Sequence, residues 1–206
     1  MVVPIAVLAI TLHEIAHGWV ALQLGDSTAA DAGRLSANPV RHIDPVGTLV
    51  VPIAVYLLGQ ALGSLLLFGW ARPVPVDWRR LKPLRAGIAL VALAGPMANL
   101  LQLAVWAAAA IVIRHSHPEA LLLISLCKAG IMFNAVIMAV NLLPIPPLDG
   151  SRVVAAAMPG RVAAAIFRLE WIGLLLVIGL IASGAGRAVL EPVLVGAQYL
   201  MLAIGI

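Results

Sequence analysis

The sequence predicts an all-α, polytopic membrane protein, and three observations carry that expectation. Of its 206 residues, 63% are hydrophobic and only 11% charged, with a mean hydropathy of +1.07. A soluble domain of this length needs far more polar surface. Apolar runs at about 1–24, 46–70, 86–113, 119–143, 165–183 and 188–206 approach or exceed the roughly 20 residues a helix needs to cross a bilayer. The loops between them are short and hold most of the charge, and prolines and glycines within the runs leave helices as the spanning elements, broken only where protein or water satisfies the backbone. One membrane domain over 1–206 is expected, with its motif-bearing core at about 8–155 and C-terminal helices at about 165–206.

The same composition excludes several function classes. A net charge of +4 and a pI near 10 invite a nucleic-acid reading, but the basic residues lie in loops flanking apolar runs, as the positive-inside rule requires. No nucleic-acid partner is expected; the bilayer is the expected environment. A single cysteine, Cys127, excludes an intrachain disulfide framework. The first run lacks a basic start and carries His13, Glu14 and His17, so it is expected to stay in the mature protein and not to act as a signal peptide.

Taken in order, the runs set an orientation. Arg34 and Arg41 follow the first; Arg72, Arg79, Arg80, Lys82 and Arg85 follow the second; Arg152, Arg161 and Arg168 lie between the fourth and fifth. If every run crossed once, the second would separate the first two clusters. If 46–70 instead dips into the membrane and returns, all of these face the cytoplasm, with Arg114 and Arg187 outside and Lys128 within the fourth run. Five to six transmembrane helices with a re-entrant helix or extended segment around 46–76 are therefore expected.

Chemistry concentrates in "HEIAH" of the first run. His13 and His17 are four residues apart, about one helical turn, so both imidazoles leave the same face and suit one zinc ion. Glu14 beside them is a candidate general base. Ionisable groups in an apolar helix are costly and are usually functional. A catalytic zinc normally takes three protein ligands, and most acids here simply flank the apolar runs. Asp149 differs: it follows "NLLPIPPL", where Pro144, Pro146 and Pro147 must end the fourth helix, and it opens "DGSRVV", a helix restart in which an aspartate could equally serve as N-cap.

"HEIAH", "ALAGPMANL" and "NLLPIPPLDGSR" together resemble the site-2 protease family of intramembrane zinc metalloproteases, and "GRLSANPVRHIDPVGT" with "FGWARPVPVD" is similar to its small prokaryotic members. The resemblance covers about 8–155, with the motifs in the family's order; no peptide-binding or nucleotide-binding regulatory domain is recognisable. It implies that His13, His17 and Asp149 hold one Zn2+, that Glu14 activates water, and that the substrate is a membrane protein cut in or near a transmembrane segment. It also places the chain in a prokaryotic cytoplasmic membrane with its active site toward the cytoplasm, and makes Asn141 a candidate to orient substrate or meet a developing oxyanion. A zinc transporter or metal-sensing membrane protein is the alternative function, though neither explains a glutamate directly beside the first ligand.

Other polar residues have plainer expected roles. Asn99 and Asn134 should link helices by hydrogen bonds, His42 should be a loop or supporting residue, His115 and His117 should sit in an outer loop, and Lys128 should snorkel or pair between helices. Pro73 and Pro75 lack N–H groups two residues apart, so Arg72, Val74 and Val76 are expected to form an alternating donor row on which an extended substrate could pair.

Overall fold

The computed structural model describes residues 2–61 and 72–206, and within them the protein is helical, with no β-strand. The described helices are α1 (Val2–Gln23), α2 (Thr28–Asp31), α3 (Val51–Ala61), α4 (Leu84–Ser116), α5 (Leu121–Asn141), α6 (Asp149–Ala157), α7 (Gly160–Arg168), α8 (Glu170–Ala182) and α9 (Ala185–Ala203). Three are long and apolar enough to cross a membrane: Val3–Gln23 in α1, α4 and α5. The pair α7 and α8, bent by 59° at their junction, makes a fourth if counted as one broken span. Among the described residues, length and composition thus support three or four spans where five to six were expected. The apex of the expected re-entrant element falls in 62–71, outside the described residues.

A single stripe on α1 makes the first interface. Ile5, Ala9, His13, His17 and Ala21 recur every four residues and are all buried, while Val3, Leu8 and Trp19 on other faces are exposed. Such spacing keeps the five side chains on one side of the helix. That side packs against α4, whose Val91, Ala92, Gly95, Asn99 and Gln102 are buried at matching helical intervals. Next, α4 packs on α5, where Gly130 admits the Trp106 ring: a Cβ there would lie 2.5 Å from the indole Cγ. Ile131 and Ala135 of α5 close the far side against Ala197 of α9.

Breaks fall where the chemistry of the backbone requires them. Gly25, at φ 99°, turns the chain out of α1. After α5 the three prolines of "LLPIPPL" remove successive N–H donors, and the helix resumes only at Asp149. Gly184, at φ 73°, takes the left-handed conformation between α8 and α9.

The loop after α1 carries the chain back over the end of that helix and fixes the extended segment 72–77. Asp26 is fully buried; its carboxylate accepts from the Thr28 hydroxyl and N–H and, at 2.8 Å, from the Asp77 N–H. At the other end the Arg72 N–H donates to the His42 carbonyl at 2.9 Å. The Lys82 N–H then reaches the Leu24 carbonyl at 2.9 Å, and Leu81 seals a small core with Ala21 and Val91. The segment is therefore held at both ends across the face of α1 that bears Glu14.

Candidate metal centre

Two helices bring their polar side chains to one point. From α1 come His13 and His17; from α6, Asp149, all three buried. The Nε2 atoms of the histidines lie 3.0 Å apart, and Asp149 Oδ2 is 3.2 Å from one and 3.3 Å from the other. Ligands about 2.0–2.2 Å from a tetrahedral zinc stand roughly 3.3–3.5 Å from each other, so this triangle is close to one face of such a polyhedron.

The protons make the case sharper. His13 Nδ1 lies 2.6 Å from Asn99 Oδ1, and His17 Nδ1 lies 2.6 Å from the Val91 carbonyl. Both partners accept, so both Nδ1 atoms carry the hydrogen and donate it. The amide orientation of Asn99 is itself fixed, because its Nδ2 donates to Asn134 Oδ1 at 2.9 Å. An imidazole whose one hydrogen sits on Nδ1 turns an Nε2 lone pair inward, toward a carboxylate oxygen that also only accepts. Asp149 Oδ2 is buried without a hydrogen-bond donor among the described residues. A buried carboxylate oxygen facing two lone pairs costs several kcal/mol unless a cation or proton sits among them. This donor set, two imidazoles and one carboxylate, fits zinc.

Asp149 does not cap α6. Leu148 holds the N-cap position with no side-chain cap, and Asp149 is the first helical residue, its carboxylate turned to the histidines. Arg152, one turn on, stands 3.8 Å from Asp149 Oδ1 and 3.7 Å from Glu170 Oε1 of α8, with its guanidinium carbon 4.9 Å from the centre of the Trp78 ring. It occupies the outer oxygen of Asp149 and leaves Oδ2 for the centre.

Glu14, next to His13, is half-buried and lies off the stripe. Its Oε2 accepts the Val74 N–H at 2.8 Å. Two N–H groups of the expected donor row have partners within the chain: Val74 donates to Glu14 and Arg72 to His42, and 72–77 is not paired into a strand among the described residues. The donors are taken because the folded chain needs them to close this segment over α1. Val76 packs into the Leu81 core. Asn141 ends α5 with its amide donating to the Ile137 carbonyl at 3.0 Å. His42 is buried and its Nε2 meets the Ser36 carbonyl at 2.9 Å, a loop role as expected. Lys128 is exposed.

Three further residues support the centre in ways the sequence did not announce. Asn99, expected only to join helices, orients His13. Arg152 sits three residues after Asp149, a spacing that puts opposite charges side by side on a helix and could have revealed it. Gly95 is needed because a Cβ would collide with the ring nitrogens of both histidines. Outer partners of this kind typically change metal affinity 10- to 100-fold. Asn99→Ala is expected to weaken zinc binding by roughly that factor, read by competition with a chromogenic chelator, with little change in helix content. Undiminished affinity would leave Asn99 as a helix linker alone.

The fold and the centre define a helical membrane protein with a buried site able to hold a metal through two histidines and one carboxylate. Relatives agree with that class. "Putative zinc metalloprotease YwhC" of Bacillus subtilis is 36% identical over 194 residues, covering 91% of this chain and 83% of that protein. "Putative zinc metalloprotease Rip2" of Mycobacterium tuberculosis strain Erdman is 32% identical over 183 residues, 82% of this chain and 65% of that one. Its counterpart in strain H37Rv is 34% identical over 155 residues, 73% and 54%. The chain belongs to the site-2 protease family. The match spans about half to two thirds of the length of the Rip2 proteins. No family model and no solved structure matches the chain.

Proposed function

We propose that the protein is a zinc-dependent intramembrane endopeptidase of the site-2 protease type, hydrolysing peptide bonds in or near transmembrane segments of membrane-protein substrates. One observation carries the reading: three buried lone-pair acceptors from His13, His17 and Asp149 meet with no donor among them, in a chain whose relatives are named zinc metalloproteases. The metal would be held by those three residues, one ion per chain. When bound, zinc would supply a Lewis acid that polarises the scissile carbonyl and makes an adjacent water easier to deprotonate.

The chain's own residues supply the rest. Glu14 takes the proton of the attacking water and delivers it to the leaving amine. The Val74 N–H occupies one of its oxygens and fixes the direction of the other. Arg152 holds Asp149, and Asn99 and the Val91 carbonyl hold the imidazoles, so the site is organised before substrate arrives. Asn141, at the end of α5 before the broken segment, is the proposed group to orient substrate or meet the developing oxyanion. Within the same proposal the chain is a single domain of the prokaryotic cytoplasmic membrane with the site opening toward the cytoplasm.

Zinc removal tests the enzyme against the transporter. The purified protein in detergent is expected to cut a model single-span substrate, to lose that activity on chelation and to regain it with about one equivalent of zinc. Zinc flux into proteoliposomes without any cleavage would favour the transporter.

A further inference from the structure

A cavity lies beside the segment that holds Glu14. It opens, with a volume of about 250 Å³, between the end of α2 and residues 72–75, and its described lining is Ala32, Arg34, Arg72, Pro73 and Pro75. Two of these five are cations and none is an acid. Arg34 is only 7% exposed. Its Nη2 donates to the Arg72 carbonyl at 2.7 Å and reaches the Pro73 carbonyl at 3.4 Å, while its Nε is buried without an acceptor among the described residues. Burial first, and then the adjacent Arg72 guanidinium, pull the Arg34 pKa below its ordinary value, and Glu14 opposes them. A guanidinium stays charged through such a shift. A third cation, Arg41, donates to the Gly33 carbonyl at 2.6 Å, next to Arg34 in the chain.

A buried guanidinium with exposed cations beside it is normally matched by a carboxylate or phosphate, because the planar fork of N–H groups fits two oxygens. Here Arg34 is anchored at one end by backbone carbonyls and keeps a buried donor unused. We infer that this cavity is a carboxylate subsite that takes an acidic side chain of the polypeptide being cut. The inference rests on the protease reading above and adds a sequence preference to it. Placement argues for substrate over a lipid phosphate. Arg72 and Pro73 hold Arg34 through their carbonyls, and the very next residue, Val74, holds Glu14 through its N–H. An acidic residue in the cavity would therefore stand only a few residues from the bond beside Glu14. At about 30 Å³ per water the cavity has room for a carboxylate and several waters.

The test uses the full chain, loaded with zinc, carrying Glu14→Gln and held in a neutral detergent. Fluorescent transmembrane peptides differing only by Glu or Gln at one position are compared by anisotropy, with that position scanned along the peptide. At one position the Glu peptide is expected to bind at least about tenfold more tightly than its Gln partner. Arg34→Gln and, separately, Arg72→Gln should each reduce that preference to about twofold or less; Arg72 is exposed, so its variant keeps the test decisive should Arg34→Gln fail to fold. Equal binding of the pair at every position overturns the inference, as does a preference that survives Arg72→Gln. Loss of the preference on adding a few mole per cent of phosphatidylglycerol would reassign the cavity to a lipid phosphate and overturn it too. Binding needs no cleavage, so this readout stands apart from proteolysis. Whether the Glu14-intact protein cuts the Gln peptide reports on the protease reading alone.

Discussion

Asp149→Asn is expected to lower zinc affinity by more than the roughly 10- to 100-fold that outer partners cost, and to abolish proteolysis with it. The substitution changes one oxygen to an amide, so volume is nearly unchanged. What it removes is the negative charge at the only carboxylate of the cluster, and what it adds is an N–H that can donate to an Nε2 lone pair of His13 or His17. The metal-free protein should therefore be no less stable than the parent, because an acceptor-only triangle gains a donor. Two measurements check this: zinc titration by chelator competition, and thermal unfolding after exhaustive chelation. The combination matters. An N-cap role would predict little effect, since asparagine caps as well as aspartate. Unchanged zinc affinity would remove Asp149 from the ligand set and leave the third ligand to be sought elsewhere.

Glu14→Gln should separate binding from chemistry. Glutamine keeps an oxygen that can accept the Val74 N–H, so the extended segment stays in place and the zinc content should match the parent within about twofold. The proton-accepting function is lost, and general-base contributions run from about 10² to 10⁴ in rate. A fall of at least that size in cleavage, measured on a purified single-span substrate with metal content determined on the same sample, is the expected result. Normal cleavage would take Glu14 out of the mechanism. Loss of zinc together with activity would make it a ligand instead.

How far these residues could be read from the sequence depends on how local their relations are. His13, Glu14 and His17 lie within one helical turn, and helix periodicity alone places the two imidazoles together; the buried stripe Ile5, Ala9, His13, His17, Ala21 follows the same period. The apolar runs likewise announced α1, α4 and α5 nearly to their ends, because a helix in an apolar medium must satisfy its own backbone. The span count was less legible. An apolar run does not say whether it will be one straight helix, as in α4, or will break into α7 and α8 at Leu169.

Relations across the chain were beyond local rules. Asp149 follows His17 by more than a hundred residues, and its own neighbours are as consistent with a helix cap as with a ligand; the packing of α6 against α4 turned it to the histidines. Asn99 was recognisable as a polar residue that needed a partner, but periodicity could not say that the partner would be His13. The fate of the Arg72 and Val74 N–H groups was decided by tertiary structure alone. Backbone donors carry no sequence signature, so whether they face an incoming peptide or close on His42 and Glu14 depends on how the segment is laid over α1. The sequence determined which groups could do chemistry and which helix carries His13 and His17. Only the folded chain could bring the Asp149 carboxylate to the two imidazoles, because that convergence is a property of packed helices and not of any one of them.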